Sequence, residues 1–437
     1  MDKKVAPVED EFTNAHHIIP RNYIFPFILL ASCFMWWGIA NNLTDPLVRV
    51  FIEIFEGLTS FQASLIQFGF YGGYFCLAIP GAIIARKYSY KTGVLVGLGF
   101  YILGCLLLFP ASIARQFVFF ILAYYVLASG LSILETSANP YILSLGSEKT
   151  ATQRLNFAQA FNPLGSIIGV MLAQMLVMAK LPTVDNQIIV TAETQSEALR
   201  IVIFPYLAIA AILIAVWVLI LATKMPTASD PDNKVHFMKT FGRLFRNTNY
   251  LFAVIAQFFY VGVQISAWTY TNFYIPDQLS VSQEVALRYH TAALVLFGIF
   301  RFVATWLMKW IRPSTLLLYA SLIALVLTFN VIVIRGVIGV YSLVGISACM
   351  SLMFPTIFGL GSKGLGADRK VGSSGLIMAI LGGALLTPLQ GAMIDWTNVS
   401  ISYIVPFVCF VVVAAFAFYS GRVKVIDDQV VEGAFES

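Results

Sequence analysis

Long apolar runs broken by short polar turns repeat along nearly the whole chain. Each holds enough residues for a helix to cross roughly 30 Å of hydrocarbon. Twelve such runs fall at about 24–46, 62–85, 92–110, 117–145, 155–178, 201–222, 249–274, 289–309, 314–334, 338–361, 372–394 and 400–419. They are too long and too uniformly apolar for the alternation of a barrel strand, so the pattern predicts an all-α membrane protein. The longest polar interruption near the middle, Ala222–Asn247, divides the helices six and six. The expected organisation is a tail over 1–23, a first half over 24–222, a linker over 223–248, a second half over 249–419 and a tail over 420–437.

Composition agrees with that pattern. Of 437 residues, 59% are hydrophobic and 11% charged, where a soluble chain carries about a quarter charged. The net charge of +5 sits in the loops. Fifteen lysines and arginines, from Arg86 and Lys87 to Arg369 and Lys370, fall in one alternate set of loops, against six in the other (Arg49, Arg115, Lys180, Arg200, Arg288 and Arg335). The positive-inside rule then places the first set and both termini in the cytoplasm. The basic stretch Lys234–Arg246 reads as a topological anchor rather than a nucleic-acid surface, because spans flank it. Met1–Asn22 holds Asp2, Glu9, Asp10 and Glu11 without an apolar core, so no cleavable signal is expected there.

The two halves repeat one another. Gly130 falls on Gly345, Ser132 on Ser347, Pro140 on Pro355 and Gly146 on Gly361, without gaps. Phe34 likewise overlays Phe258, and Gly38 overlays Gly262. Two six-helix halves in parallel repeat form the architecture of the major facilitator fold, with its site near the midplane between them. The repeat also sorts polarity. Glu135 faces Met350, Asn139 faces Phe354, Asp45 faces Thr269, Gln159 faces Met378 and Asn162 faces Leu381. The first half therefore supplies carboxylates and amides, and the second supplies apolar and aromatic surface. A neutral ligand with hydroxyls and one hydrophobic face, such as a sugar, suits that cleft.

Two carboxylates stand inside the spans: Asp45, before Pro46, and Glu135, in the middle of the fourth run. An ionised group in hydrocarbon is costly and persists where it handles ions, protons or substrate, so both are candidates for proton exchange. Gln159 and Asn162 lie three apart, a spacing that shares a helix face and offers amides to vicinal hydroxyls. Asn42 and Asn139 are further amide candidates. Tyr260, Gln264 and Trp268 recur every four residues as a possible platform for a sugar ring. Arg301, inside the eighth run, either pairs with a counter-charge or carbonyls or snorkels toward Lys309.

Other chemistry is missing. The five cysteines lie in apolar runs and read as small buried hydrophobes. The histidines His16, His17, His236 and His290 form no ligand cluster, so no metal or cofactor is expected. Gly359–Gly364 matches a dinucleotide pattern formally but ends a membrane helix and follows no strand. Without a Walker lysine motif or a nucleophile elbow, neither an ATP-driven pump nor a membrane enzyme is expected. A sugar sensor would need a signalling domain larger than these tails.

Six ordered motifs carry a resemblance. They are Asn41-Asn42-Leu43-Thr44-Asp45, Leu134-Glu135-Thr136-Ser137-Ala138-Asn139-Pro140, Arg154-Leu155-Asn156-Phe157-Ala158-Gln159-Ala160-Phe161-Asn162, Ala256-Gln257-Phe258-Phe259-Tyr260-Val261-Gly262, Pro355-Thr356-Ile357-Phe358-Gly359-Leu360-Gly361 and Gly372-Ser373-Ser374. Together, from about Ile24 to Tyr419, the chain resembles the bacterial fucose–galactose–glucose:proton symporters of the major facilitator superfamily. The loop Gly81–Lys91 also resembles the superfamily's signature loop, with Ala85 where an aspartate is usual.

The resemblance implies Asp45 and Glu135 as the protonatable pair, with Asn42, Gln159 and Asn162 in the sugar-binding face. Glucose/galactose and N-acetylglucosamine relatives often carry glutamine at Glu135, which favours the fucose branch. Phe354 stands where that branch has tyrosine, which leaves the exact sugar open. The expectation is alternating-access import of a neutral hexose, L-fucose first, by a monomer that draws on the proton gradient. A glucose/galactose or N-acetylglucosamine porter is the alternative.

Overall fold

The computed structural model describes residues 18–423 apart from 56–59, 182, 185–186, 189–190, 192–193 and 227–236. Among these residues twelve helical spans follow in order. The first half holds α1 (Ile24–Ile54), α2 (Ser60–Lys87), α3 (Tyr90–Ala114), α4 (Phe117–Ser144), α5 (Ala151–Gln159 and Phe161–Leu172) and α6 (Gln195–Ala222). The second holds α7 (Thr248–Leu279), α8 (Gln283–Leu307), α9 (Pro313–Val333), α10 (Val337–Met350 and Met353–Gly361), α11 (Arg369–Met378 and Leu381–Trp396) and α12 (Val399–Ser402 and Ile404–Arg422). Eleven of these spans are long and apolar enough to cross a membrane. The remaining one, α2, has side chains partly outside the described residues.

Local chemistry sets several ends. The Asn247 side chain accepts the Tyr250 N–H and opens α7, and Pro313 starts α9 where its missing N–H costs nothing. The helix α1 runs on through Pro46 to Ile54, past the end expected from the sequence. In the linker, Phe237–Arg246 forms a helix that the sequence reading passed over as a basic anchor. Its Thr240 and Leu244 are buried while Arg243, Phe245 and Arg246 face out, so apolar spacing hidden among the charges decides it.

The packing repeats as the sequence does. In the first half α1 packs on α5, α3 on α4 and α6, and α2 on α4. The second half repeats this with α7 on α11, α9 on α10 and α12, and α8 on α10. Close approach makes the first of these pairs: a Cβ on Gly38 would meet the Asn162 carbonyl, and one on Gly165 the Met35 carbonyl. Between halves, α2 meets α11 and α5 meets α8.

The bonds that cross this seam cluster at the end bearing the linker. Arg369 pairs with Glu148 at 2.7 Å, and Arg86 with Asp368 at 3.6 Å. Ser373 Oγ donates to the Thr136 carbonyl at 3.0 Å, Gln153 Nε2 to the Thr305 carbonyl at 2.9 Å, and Asn156 Nδ2 to Thr356 Oγ1 at 3.1 Å. Arg86 belongs to the signature-like loop, so the carboxylate lacking at Ala85 is supplied from the other half by Asp368. Arg154 and Lys370, counted with the loop cations from sequence, are buried instead. Arg154 donates to the carbonyls of Ile142, Leu143 and Ser147, which closes the end of α4. Lys370 lies 5.1 Å over the Tyr90 ring. Of the cysteines, Cys76 is exposed and corrects the buried reading; the other four are buried.

Candidate functional site

Away from the linker end the halves part around a cavity of about 470 Å³. Its first-half wall comes from α1, α2 and α5: Trp37, Asn41, Asn42, Tyr71, Tyr74, Asn162 and Ser166. Asn42 Nδ2 donates to Ser166 Oγ at 2.9 Å and to the Gly38 carbonyl at 3.1 Å, which ties α1 to α5 beside Asn162. The second-half wall holds Gln264, Trp268, Asn272, His290, Phe297 and Phe354. Trp268 is fixed by its indole N–H donating to Ser347 Oγ at 3.1 Å and by edge contact with Phe297 at 5.0 Å.

Of the residues singled out in the sequence, Asn42, Asn162, Gln264, Trp268 and Phe354 line this cavity. Tyr260 does not. It is buried, donates to the Met350 carbonyl at 2.9 Å and backs Phe354 edge-on at 6.3 Å. Each four-residue step turns the side chain by roughly 40°, so Tyr260, about 120° round from Asn272, leaves the face that Gln264, Trp268 and Asn272 share. Gln159 and Asn162 also separate, because α5 breaks at Ala160 between them. Asn162 faces the cavity, while Gln159 turns inward and donates to Asn139 Oδ1 at 2.8 Å. The repeat-related break at Ala379 and Ile380 in α11 marks the same register. Asp45 lies on α1, but its side chain is outside the described residues.

Glu135 is buried on α4, 5% exposed. Among the described residues its Oε2 has no hydrogen-bond partner, nor do Ser137 Oγ and Asn139 Nδ2 nearby. Trp37 and Tyr74 line the cavity as a pair, the indole N–H donating to the tyrosine hydroxyl. Tyr74 is an electrostatic neighbour of Glu135 as well as a cavity residue. Among the described residues Glu135 forms no ion pair.

Arg301 resolves the choice left open above. It is 3% exposed and does not snorkel. Its Nε donates to the Ser351 carbonyl at the break in α10, and its Nη1 to the Gln159 carbonyl at the break in α5, at 3.0 Å. The guanidinium lies 4.6 Å over the Phe297 ring, beneath the cavity. Interrupted helices leave carbonyls free, and these two give the buried cation its partners. Periodicity could not reveal such breaks. Sequence reasoning also missed Asn272 and His290; an amide and an imidazole inside apolar spans were the available signal.

The Major Facilitator Superfamily model matches residues 25–388. The chain is 39% identical over 424 residues to the L-fucose-proton symporter of Haemophilus influenzae, covering 93% of this chain and 99% of that one. It is 31% identical to the glucose/galactose transporter of Brucella abortus, covering 92% and 95% of the two chains. Its structure resembles the crystal structure of FucP, a major facilitator transporter, in the outward conformation: TM-score 0.84, 38% identity, 92% of this chain and 100% of that one. With twelve spans in two repeat-related halves around a central cavity, this multi-pass chain belongs to the major facilitator superfamily, in the family of the bacterial fucose–galactose–glucose:proton symporters.

Proposed function

We propose that this protein imports L-fucose with protons across a bacterial inner membrane, as a monomer with both termini in the cytoplasm. The observation that carries the reading is the cavity itself: amides and aromatic rings from both halves line it, and the carboxyl of Glu135 is buried in the first half near Tyr74 of its wall. Fully desolvated hydroxyls need partners, and Asn42, Asn162 and Gln264 offer them. The ring's apolar face and C6 methyl lie against Trp268 and Phe354. The identity of 39% to a named L-fucose-proton symporter exceeds the 31% to a glucose/galactose transporter and supports fucose over those hexoses.

In this reading the linker end is cytoplasmic, so the structure represents the outward-facing state. Glu135 takes a proton, sugar binds the amides and Asp45, the halves rock, and Glu135 releases its proton inside. The proton gradient is the only energy source and no cofactor takes part. One charge crossing about 100 mV supplies roughly 2.3 kcal/mol, enough for somewhat under about 50-fold accumulation. The test is uptake of labelled L-fucose into proteoliposomes with an imposed pH gradient, competed by unlabelled L-fucose, D-glucose, D-galactose and N-acetylglucosamine. Uptake that follows the gradient and is blocked best by L-fucose is expected. Stronger blocking by D-glucose would assign the chain to the glucose/galactose alternative.

A further inference from the structure

The second half is less apolar than its repeat register implies. On α7, Gln264, Trp268 and Asn272 stand four residues apart and all face the cavity, so an indole is flanked by two amides. From α8, His290 reaches the same wall, 6.5 Å from the Trp268 ring and edge-on to it. Amides and imidazoles in membrane interiors commonly serve helix-to-helix hydrogen bonds. These two do not: among the described residues, the buried Asn272 Oδ1 and His290 Nδ1 have no hydrogen-bond partner. An unpartnered buried polar group is costly and calls for a ligand or a function.

We propose that Asn272 and His290, with Gln264, form a second polar subsite that hydrogen-bonds ring hydroxyls of a neutral pyranose from the C-terminal half. The subsite rests on the sugar-transport reading above. It gives the sugar partners on both halves, so binding favours a closed cavity over an open one and links occupancy to rocking. It also assigns discrimination between hexoses to the second half. Epimers keep their apolar face for Trp268 but redirect hydroxyls away from Asn272 or His290. Trp268, fixed by Ser347, stands edge-on to the imidazole and limits the room it has to turn.

The experiment measures binding of L-fucose, its epimers and its monodeoxy analogues to the full chain in nanodiscs, for wild type, His290→Phe, Asn272→Leu and His290→Gln. His290→Phe and Asn272→Leu are each expected to weaken L-fucose binding about 10- to 100-fold, with His290→Gln restoring part of the loss. For each variant, one deoxy analogue lacking the partner hydroxyl should bind variant and wild type alike, since neither can form the bond. Losses equal for every sugar, or no loss, would overturn the subsite. If His290→Phe does not fold, Asn272→Leu and His290→Gln carry the same comparison. Absence of hexose binding by wild type would instead overturn the transport reading itself.

Discussion

Arg301→Lys should shift the resting protein from closed to open at the linker end. In the structure the guanidinium spans two carbonyls, Ser351 in its own half and Gln159 in the other. Only the Gln159 bond depends on the halves being together there. A lysine keeps the charge, so the cost of burying it remains. Its donors radiate from a single nitrogen, whereas Nε and Nη1 of the guanidinium are separate atoms, so a lysine held at the Ser351 carbonyl does not also span to Gln159. Whichever carbonyl it keeps, closing the seam no longer adds a bond, because Ser351 is available in either state. The closed state therefore loses one hydrogen bond to a charged group, about 1.5–3 kcal/mol, a shift of roughly ten- to a hundredfold in the closed-to-open ratio. Spin labels at Lys149→Cys and Lys363→Cys, exposed at the linker end of opposite halves, report it in a Cys76→Ser background. Wild type should give one short distance by double electron–electron resonance, and Arg301→Lys should add a longer component. An unchanged distance distribution in a folded Arg301→Lys protein would refute the reasoning.

Glu135→Gln should abolish proton-driven accumulation while leaving sugar exchange largely intact, because exchange requires no net proton release; full accumulation in proteoliposomes would remove Glu135 from coupling. Asn162→Ala should weaken sugar binding by about 1–3 kcal/mol through a lost cavity donor. Gln159→Ala, which removes the bond to Asn139 behind the wall, should lower thermal stability more than affinity, and calorimetry on both variants separates the two effects. Gly38→Val should destabilise the first half by about 1–3 kcal/mol or more, since its side chain enters the Asn162 backbone, and a melting temperature equal to wild type would contradict that packing.

The twelve crossings and the twofold division were legible because hydrocarbon forces every span to satisfy its own backbone, which leaves a long apolar run as the trace. The in-register motifs around Glu135 and Met350 likewise announced the repeat, but not the polarity of the cavity walls, since Trp37, Tyr71 and Tyr74 stand on the first and Gln264, Asn272 and His290 on the second. Side-chain direction was legible only where a helix stays regular. The break at Ala160 separated Gln159 from Asn162, and the accumulated helical drift along α7 carried Tyr260 behind Phe354, so local spacing misjudged both. Arg301 needed the tertiary structure most: its partners are carbonyls, which carry no side-chain signature, freed by two helix breaks in opposite halves. Asn272 and His290 gained their place the same way, since two single polar residues on different helices become one wall only when α7 and α8 pack around the cavity.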